Sequence, residues 1–530
     1  MEYKVCILAA GKGTRVSYAK DFNKALLPVG EKSALSHIID KFPKDTEFII
    51  PIGYNGRFIK DFVGMVYGDR KITLVNVENY DGPGSGPGHS LYCCKDYLQC
   101  PFIFTSVDTI VLEDISEPSC NWLGVAKGED TQKYCMAEVH DGKVKAFHNK
   151  VPMADILKRC DDPKQIMDNT FIGMAGVYDY QDFWDGFKKE HQPVEGEAQV
   201  MDGLEALIER NLHARRFTWF DTGSDMGYYF TNEYFSKLKL LIKPDEFIFF
   251  ENDLVIKYFA DKSIIAKRIA RAGLLKGIVP ELVFKSEHFY AYHYVEGMTL
   301  SSVTSSPVFK NFLSFCQDTL WIKKNTYNKD EFDSAVKKFY YSKTLERIES
   351  FYSKTGIKDE EITINDSHTP KLADVLASID WKRLCEGVPV LFHGDLQPEN
   401  IIVRKDGFTL IDWRQDFGTI MEYGDMYYDF AKLYHALIIS HEIIRKKEFF
   451  VRNEKNRVEL GYYMKDNLCE FKKIFETFLQ TNGYDVQKVK ILSSLIFLNI
   501  APLHHYPYNV FLYYLGKSTL YQHAHLSINK

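Results

Sequence analysis

One stretch of the C-terminal half, HGDLQPENIIV, carries side chains that suit the transfer of a phosphoryl group. The Asp395 carboxylate and the Asn400 amide lie five residues apart on one loop, and LIDW then places Asp412 at the end of a strand. Phosphoryl transfer needs an acceptor for the hydroxyl proton, together with carboxylate and amide oxygens that hold Mg²⁺ on the phosphates. The pattern therefore predicts Asp395 as the catalytic base and Asn400 and Asp412 as Mg²⁺ ligands.

A second stretch, ILAAGKGTRV, lies near the N-terminus and predicts an anion-binding turn after an apolar strand. Gly11 and Gly13 bracket a turn in which side chains would block the approach of backbone N–H groups to phosphate oxygens. Arg15 and Lys24 add two cations suited to phosphate. A dinucleotide fingerprint would need a third glycine near position 16, where Val16 stands, so we exclude it. An ordinary β-to-α turn is the alternative interpretation.

The N-terminal motifs LAAGKGTR and KALLPV resemble those of sugar-phosphate nucleotidylyltransferases, and the resemblance extends to about residue 235. In this family a substrate phosphate attacks the α-phosphorus of a nucleoside triphosphate and expels pyrophosphate. The resemblance implies that Asp108 of SVDT and Asp221 of WFDTGS bind Mg²⁺, and that Lys150 of FHNK binds the substrate phosphate. Asn149 stands where sugar-specific members often carry a glutamate that holds sugar hydroxyls, which argues against an ordinary hexose 1-phosphate as the substrate.

The same resemblance implies a set of residues around the nucleotide. The nucleotide-binding residues are Ala10, Gly11, Gly13 and Thr14 in the first turn, with Gly86 and Gly88 in the glycine-rich YDGPGSGPGHSL. Arg15 and Lys24 become the catalytic cations, because they offset the negative charge that accumulates as two anions approach each other.

The C-terminal pattern H-G-D-x-x-x-x-N followed by I-D-W resembles the aminoglycoside phosphotransferase and choline kinase family over residues 245 to 530. That resemblance implies that Lys257 of VIKYF grips the ATP phosphates, that His393 braces the catalytic loop and that Asp429 supports the core. Two features depart from the family: FFENDLV lacks G-x-G, and SIIAKRIARAGLL has no acid to pair with Lys257. A catalytically inactive kinase homologue is the alternative.

Short apolar runs alternate with helical patterns over the first 235 residues, which predicts an α/β fold. We expect a Rossmann-like nucleotidyltransferase fold with a mostly parallel sheet in residues 1–240, followed by a bilobal, protein-kinase-like domain in residues 241–530. A length of 530 residues with 45% hydrophobic residues is sufficient for two cores. EFIFFENDLVIKYF predicts a hairpin with its turn at Glu251 to Asp253.

Composition excludes several classes of partner. The net charge is −6 without long runs of like charge, which argues against nucleic acid and anionic membranes as partners. The ten cysteines lack zinc-site spacing, MEYKVCILAA lacks a leader pattern, and ILSSLIFLNIAPL falls short of the roughly 20 residues of a membrane span. We therefore expect a cytoplasmic protein with small-molecule partners. The sequence does not decide the oligomeric state.

The two motifs together predict a bifunctional enzyme. One half would phosphorylate a sugar or sugar-like alcohol with ATP, and the other would couple the product to a nucleotide from a second triphosphate, CTP or UTP, to make a precursor of surface polysaccharide. Both halves would use Mg²⁺. Two alternatives stay open: a choline or ethanolamine kinase joined to a cytidylyltransferase, and a chain in which one half is a silent nucleotide-sensing module.

Overall fold

The computed structural model describes residues 2–17, 20–128, 130–156, 164–187, 200–236 and 245–525. The chain divides into two compact units: unit 1 is Met1–Asp261 with His288–Ala291, and unit 2 is Lys262–Glu287 with Tyr292–Lys530. The domain boundary predicted at residue 240 lies outside the described residues. The predicted hairpin that follows this boundary belongs to unit 1.

The elements up to Asp261 alternate between strands and helices. The strands are β1 Lys4–Leu8, β2 Pro28–Val29, β3 Lys32–Ser33, β4 Glu47–Ile52, β5 Ile72–Asn76, β6 Phe102–Ser106, β7 Thr109–Val111, β8 Trp122–Ala126, β9 Cys135–His140, β10 Lys143–Asn149, β11 Thr170–Val177, β12 His213–Arg216, β13 Trp219–Asp221, β14 Glu246–Glu251 and β15 Leu254–Phe259. The helices are α1 Ala34–Ile39, α2 Gly56–Val66, α3 Pro87–Tyr92, α4 Met153–Ile156, α5 Lys164–Met167, α6 Tyr180–Gly186, α7 Met201–Ala206 and α8 Asp225–Phe235.

Nine of these strands form one sheet in the order β5-β4-β1-β6-β11-β8-β12-β10-β9. The first four strands are parallel, and β12 is parallel to β8. β11 is antiparallel to both β6 and β8, and β9 and β10 form a hairpin. Their two-residue turn, Asp141 and Gly142 with φ 51° and 73°, permits only antiparallel pairing. The α/β class is confirmed, whereas the predicted mostly parallel sheet is seen in its first four strands and the rest is mixed.

The parallel part of the sheet brings together two loops that are far apart in sequence. β1 pairs with β6 so that Leu8 lies opposite Ser106, and the strands are almost fully buried, as parallel strands covered on both faces are. The carboxyl ends of adjacent parallel strands share one edge. The turn that begins at Gly11 and the loop that carries Asp108 therefore start side by side.

The hairpin β14–β15 forms as predicted. Glu251 lies opposite Leu254, and the turn residues Asn252 and Asp253 have φ 46° and 63°, as a two-residue hairpin turn requires. Glu251 accepts a hydrogen bond from the Ser33 N–H at 2.9 Å. This bond fixes the tip of the hairpin to the beginning of α1.

After Asp261 the chain is mainly helical. The strands are β16 Leu282–Lys285, β17 Phe289–His293, β18 Met298–Thr299, β19 Ile362–Ile364, β20 Ser367–Thr369, β21 Pro389–Val390, β22 Ile401–Arg404, β23 Gly407–Leu410, β24 Gly424–Asp425, β25 Phe449–Glu454 and β26 Arg457–Tyr462. The helices are α9 Lys262–Leu274, α10 Ser306–Thr319, α11 Lys329–Lys337, α12 Lys343–Thr355, α13 Leu372–Ala377, α14 Trp381–Leu384, α15 Met426–Ala436, α16 His441–Lys446, α17 Asp466–Thr481, α18 Val486–Ile500 and α19 Tyr508–His525. A π-helical turn, Lys338–Ser342, joins α11 to α12.

Unit 2 contains a long apolar helical segment near its C-terminal end. By length and composition alone, the helical segment Val486–Leu503 could cross a membrane, and 67% of it is buried inside the fold. It includes α18, which packs against α15 and α19. Burial of this kind is what the central helix of a helical domain needs.

Candidate active sites

In unit 1 the two predicted metal-binding aspartates lie close together. β13 pairs with β7 so that Asp221 lies opposite Thr109, the residue after Asp108, and the Thr222 N–H donates to the Asp108 carbonyl at 3.0 Å. A Cβ built on Gly223 would lie 2.8 Å from Asp108 Oδ2 and 2.9 Å from Asp221 Oδ1. The two carboxylates therefore converge on one point, which only a glycine leaves open.

Asp108 is held in its charged form. Lys24 Nζ lies 2.8 Å from Asp108 Oδ2, and the Ser106 hydroxyl donates to Oδ1 at 2.5 Å. Burial alone would raise the pKa of Asp108, but Lys24, Ser106 and the more distant Arg15 lower it to about 2. The carboxylate is thus ionised and ready to bind a cation at any physiological pH.

Asp221 has two partners that the sequence did not indicate. The Tyr134 hydroxyl donates to Asp221 Oδ2 at 2.7 Å, and Lys133 Nζ lies 3.6 Å from the same oxygen. Burial, and then the charge of Asp221, raises the pKa of Tyr134, so its phenol keeps its proton and remains a donor. Tyr134 and Asp221 are 87 residues apart. An isolated Lys-Tyr pair carries no sequence signal that could have revealed this contact.

The first glycine turn is shaped by close packing. Gly13 has φ 65°, and a Cβ on it would lie 3.1 Å from Lys24 Cδ, so the turn needs glycine at this position. A Cβ on Gly11 would meet no atom within 4 Å. The Ala10 carbonyl accepts the Tyr54 N–H at 2.9 Å. Of the other predicted residues of this turn, Thr14 and Arg15 are exposed.

An ion pair joins the first turn to the glycine-rich loop. Lys12 in the turn is bonded to Asp81, just before Gly82 and Gly84, which both have positive φ. The two predicted nucleotide-binding loops of unit 1 are therefore in contact. Sequence reasoning missed Lys12 because its partner is 69 residues away.

The remaining predicted residues of unit 1 occupy defined positions. Gly86, with φ 125°, precedes α3, and Gly88 is buried in the first turn of that helix. Lys150 follows the last residue of β10 with a left-handed φ of 52°. Lys257 is buried in β15. The binding roles assigned to these residues stay predictions.

In unit 2 the H-G-D loop is fixed by its backbone. The buried Asp429 carboxylate accepts the N–H groups of His393 at 2.9 Å and Gly394 at 2.7 Å. Burial raises the pKa of Asp429 to about 6, although the two N–H bonds act to lower it. Burial lowers the pKa of His393 to about 4, so the imidazole is neutral. His393 Nδ1 accepts the Asp395 N–H at 3.3 Å. His393 braces the loop that presents Asp395, as predicted, and Asp429, which was expected to support the core, also holds this loop.

The predicted base, Asp395, is a third exposed and strongly bonded. Lys432 Nζ lies 2.7 Å from its Oδ1, and Gln397 Nε2 donates to the same oxygen at 2.8 Å. Burial would raise the pKa of Asp395, but Lys432, Gln397 and His393 hold it well below its usual range. Lys432 lies on α15, one turn after Asp429. Its role was not predicted, although a lysine on the same helix face as a structural aspartate offers a weak signal.

The two predicted metal ligands of unit 2 are joined by the hairpin β22–β23. Asn400 immediately precedes β22, and Asp412 follows β23, where the Ile411 N–H donates to the Asn400 carbonyl at 2.9 Å. The Asn400 amide nitrogen donates to the Asp395 carbonyl at 2.9 Å, so its amide oxygen is the atom available to a metal. Asp412 has a left-handed φ of 60°.

Both metal predictions fit the chemistry of the residues present. Within the described ranges no group of three or more His, Cys, Asp and Glu side chains could hold a metal. Mg²⁺ takes one or two carboxylates and completes its shell with waters and substrate phosphates. Asp108 with Asp221, and Asn400 with Asp412, are oxygen-donor pairs of that kind.

Comparison with known proteins agrees with the division of chemistry between the two halves. Residues 342–445 match the phosphotransferase enzyme family, and this segment contains Asp395, Asn400, Asp412 and Lys432. Over 241 residues, 44% of this chain, the protein is 28% identical to the bifunctional protein GlmU of Methanococcus vannielii. The chain spans about half the length of that relative, 54%.

The solved structures that are similar to part of this chain include two that each match less than half of it. One is a thymidylyltransferase from Bacillus anthracis, described as a putative glucose-1-phosphate enzyme (18% identity, 46% of this chain, 98% of that chain, TM-score 0.36). The other is the CTP:phosphocholine cytidylyltransferase of Streptococcus pneumoniae (18% identity, 44% of this chain, 99% of that chain, TM-score 0.34). The family match and the similarity to GlmU confirm the two resemblances predicted from the sequence. The family match covers a segment of the C-terminal half, and the similarity to GlmU covers 241 residues of the chain.

Proposed function

We propose that this protein is a bifunctional enzyme that phosphorylates a sugar or sugar-like alcohol with ATP and then couples the phosphate to a nucleotide. The observation that supports the proposal is that two separate groups of predicted catalytic residues occur on one chain, Asp395 with its partners in unit 2 and Asp108 with Asp221 in unit 1. A kinase makes a phosphate monoester, and a nucleotidylyltransferase consumes one. The expected product is a nucleotide-activated precursor of a surface polysaccharide.

In the kinase step, Asp395 accepts the proton of the substrate hydroxyl as that oxygen attacks the γ-phosphorus of ATP. Lys432 and Gln397 fix the orientation of the carboxylate and keep it ionised. Mg²⁺, when bound at either site, would neutralise phosphate oxygens. Asn400 and Asp412 would hold it in this half, and the product leaves as a phosphomonoester.

In the nucleotidylyl step, the new phosphate attacks the α-phosphorus of CTP or UTP and releases pyrophosphate. Asp108 and Asp221 would hold the metal, and Tyr134 orients Asp221. Lys24 and Arg15 offset the negative charge that accumulates when two anions approach. Lys24, now paired with Asp108 at 2.8 Å, is placed to serve both the carboxylate and a phosphate.

The experiment that tests this proposal uses two matched variants. Asp395→Asn should abolish the ATP-dependent phosphorylation of the alcohol and leave pyrophosphate release from a supplied phosphomonoester nearly unchanged, because the two catalytic sets share no residue. Asp221→Asn should do the reverse. Loss of both activities in either folded variant, checked by circular dichroism, would contradict two independent sites. Nucleotide binding without turnover in one half would support the silent-module alternative.

A further inference from the structure

Unit 2 contains a cavity of about 180 Å³ next to the predicted catalytic base. Lys432 lines this cavity, and its Nζ lies 2.7 Å from Asp395 Oδ1. The cavity therefore begins one side chain away from the carboxylate that would activate the acceptor hydroxyl. Its position makes it the candidate binding site for the rest of the acceptor.

The side chains that line the cavity carry positive charge. Lys343, Arg347 and Arg414 line it together with Lys432, and its lining contains no Asp or Glu. Lys432 is paired with Asp395, whereas the other three cations form no ion pair with a carboxylate in the part of the chain that the structure describes. We name these three residues the cation cluster.

A neighbouring space that shares lining residues with the cavity contains acids, but at least one of them is already paired. A second space of about 430 Å³ is also lined by the cation cluster and adds Glu346 and Asp416. Asp416 is bonded to Lys267 at 2.8 Å. The net charge around the cavity therefore stays positive.

Assembling these cations without an anion is unfavourable. Burial, and then Arg414, Arg347 and Lys432, lowers the pKa of Lys343 to about 7. Lys343 Nζ and the Arg414 guanidinium carbon lie 4.1 Å and 4.9 Å from the centre of the Phe339 ring, which offsets only part of this repulsion. Phe339 lies on the π-helical turn, a feature that is frequent at functional sites. A bound anion would relieve the repulsion.

We propose that the alcohol phosphorylated at Asp395 carries an oxyanion group, a carboxylate or a phosphonate, and that the cation cluster binds this group. The inference rests on the proposed kinase activity and names its substrate class. Choline and ethanolamine are cations, so the cluster would repel them. In the reaction a bond forms between the acceptor oxygen and the γ-phosphorus, the bond from that phosphorus to the β,γ-bridging oxygen breaks, and the hydroxyl proton passes to Asp395.

The first arm of the test compares acceptors of similar size and different charge. Choline and ethanolamine are cationic, ethylene glycol and glycerol are neutral, and glycolate, glycerate and 2-hydroxyethylphosphonate are anionic. With the full chain and ATP, we expect kcat/KM for the best anionic acceptor to exceed that of every neutral and cationic one by about tenfold or more. The ratio of kcat/KM for the carboxylate acceptors to kcat/KM for the phosphonate acceptor then shows which oxyanion group the site prefers.

The second arm uses Arg347→Met, which removes a charge and keeps the apolar stem. We expect KM for the best anionic acceptor to rise by roughly ten- to a hundredfold, while KM for ATP stays the same. Lys343→Met should behave alike, and Arg347→Lys should restore part of the affinity. Lys382→Met, at an exposed lysine of α14 that does not line the cavity, should change none of these constants.

The possible outcomes distinguish the oxyanion inference from the proposed kinase activity. If choline or a neutral alcohol is the best acceptor and Arg347→Met leaves its KM unchanged, the oxyanion inference is overturned while the kinase activity stands. If the wild type phosphorylates neutral sugars and none of the seven alcohols, the oxyanion inference is overturned while the kinase activity stands. If it phosphorylates neither, although it is folded and binds ATP, the kinase function and this inference both fail. A selective rise of KM for the anionic acceptors in both charge-removing variants supports the inference.

Discussion

At the residue scale, the catalytic loop of unit 2 depends on a lysine that lies outside its motif. Lys432 is nearly buried and contacts Asp395 at 2.7 Å, and the charge of Asp395 in turn raises the pKa of Lys432 despite its burial. Each charge therefore stabilises the other. The pair keeps the base ionised and fixes the direction of its carboxylate.

Lys432→Met should lower kcat for phosphorylation by roughly ten- to a hundredfold, because Asp395 loses the group that orients it. KM for ATP and the release of pyrophosphate by the other half should not change. Steady-state kinetics of both activities check this, with Lys432→Arg as the variant that keeps the charge. Equal losses in both activities would show that Lys432 supports only the fold.

Sequence reasoning at this scale located residues that are close in sequence. Asp395 and Asn400 lie on one loop and are hydrogen-bonded to each other, and the roles predicted for them from residue type and spacing stay predictions. Lys432, Tyr134 and Lys12 were missed because each meets its partner only after the chain has folded back. A side chain whose function is to hold another one has no pattern of its own in a single sequence.

At the element scale, the first turn of unit 1 requires glycine at position 13. Gly13→Ala would place a methyl group 3.1 Å from Lys24 Cδ in a backbone conformation that costs an alanine about 1–2 kcal/mol. We expect lower thermal stability and a fall of about tenfold or more in nucleotidylyl transfer, because Lys24 must move away from Asp108. Differential scanning fluorimetry and pyrophosphate release measure the two effects.

A matched control comes from α2. A Cβ on Gly64 would meet no atom within 4 Å, so Gly64→Ala should leave activity unchanged and stability equal or slightly higher. If Gly13→Ala were as active as Gly64→Ala, the role given to the first turn would be wrong.

The hairpin β14–β15 should loosen as the pH rises. Burial is the main cause that raises the pKa of Glu251 from 4.5 to about 7, although the Ser33 N–H bond opposes it. Between about pH 4.5 and 7 the folded state keeps a proton that the unfolded state has lost, so stability falls as the pH rises through this window and levels off above it. The change over this window is on the order of 3 kcal/mol.

Glu251→Gln should remove this pH dependence, because the amide stays neutral. Hydrogen exchange of the hairpin amides at pH 5.5 and pH 8, corrected for intrinsic rates, gives the comparison. Glu233→Gln, at an exposed glutamate of α8, is the control and should follow the wild type. The same pH dependence in Glu251→Gln would mean that another group is responsible.

Several elements could be predicted from the pattern, and their pairing could not. The hairpin with its turn at Glu251 to Asp253 followed from a short polar interruption between two apolar runs. The strand runs of unit 1 were recognised, but the antiparallel position of β11 between β6 and β8 depends on contacts between residues far apart in sequence. The cation cluster likewise contains residues from α12 and from the loop after β23. Because these segments are far apart in sequence, no single sequence motif predicts the cluster.

At the scale of the whole molecule, the chain divides into two compact units, and the predicted metal ligands of the two proposed reactions lie in different units. Their chemistry is consecutive only if one compound is both the product of the kinase and the substrate of the nucleotidylyltransferase. That requirement concerns substrate identity. It holds whether or not the intermediate is released into solution between the two steps.

The most direct test is mass spectrometry of a single reaction that contains ATP, CTP or UTP, Mg²⁺ and the unphosphorylated acceptor. The wild type should form a nucleoside diphosphate conjugate. Asp395→Asn should form none until the phosphorylated acceptor is added, after which the yield should recover. If the purified kinase product is refused by the N-terminal half with CTP, UTP, GTP and dTTP alike, the two activities are unrelated and the central claim is contradicted.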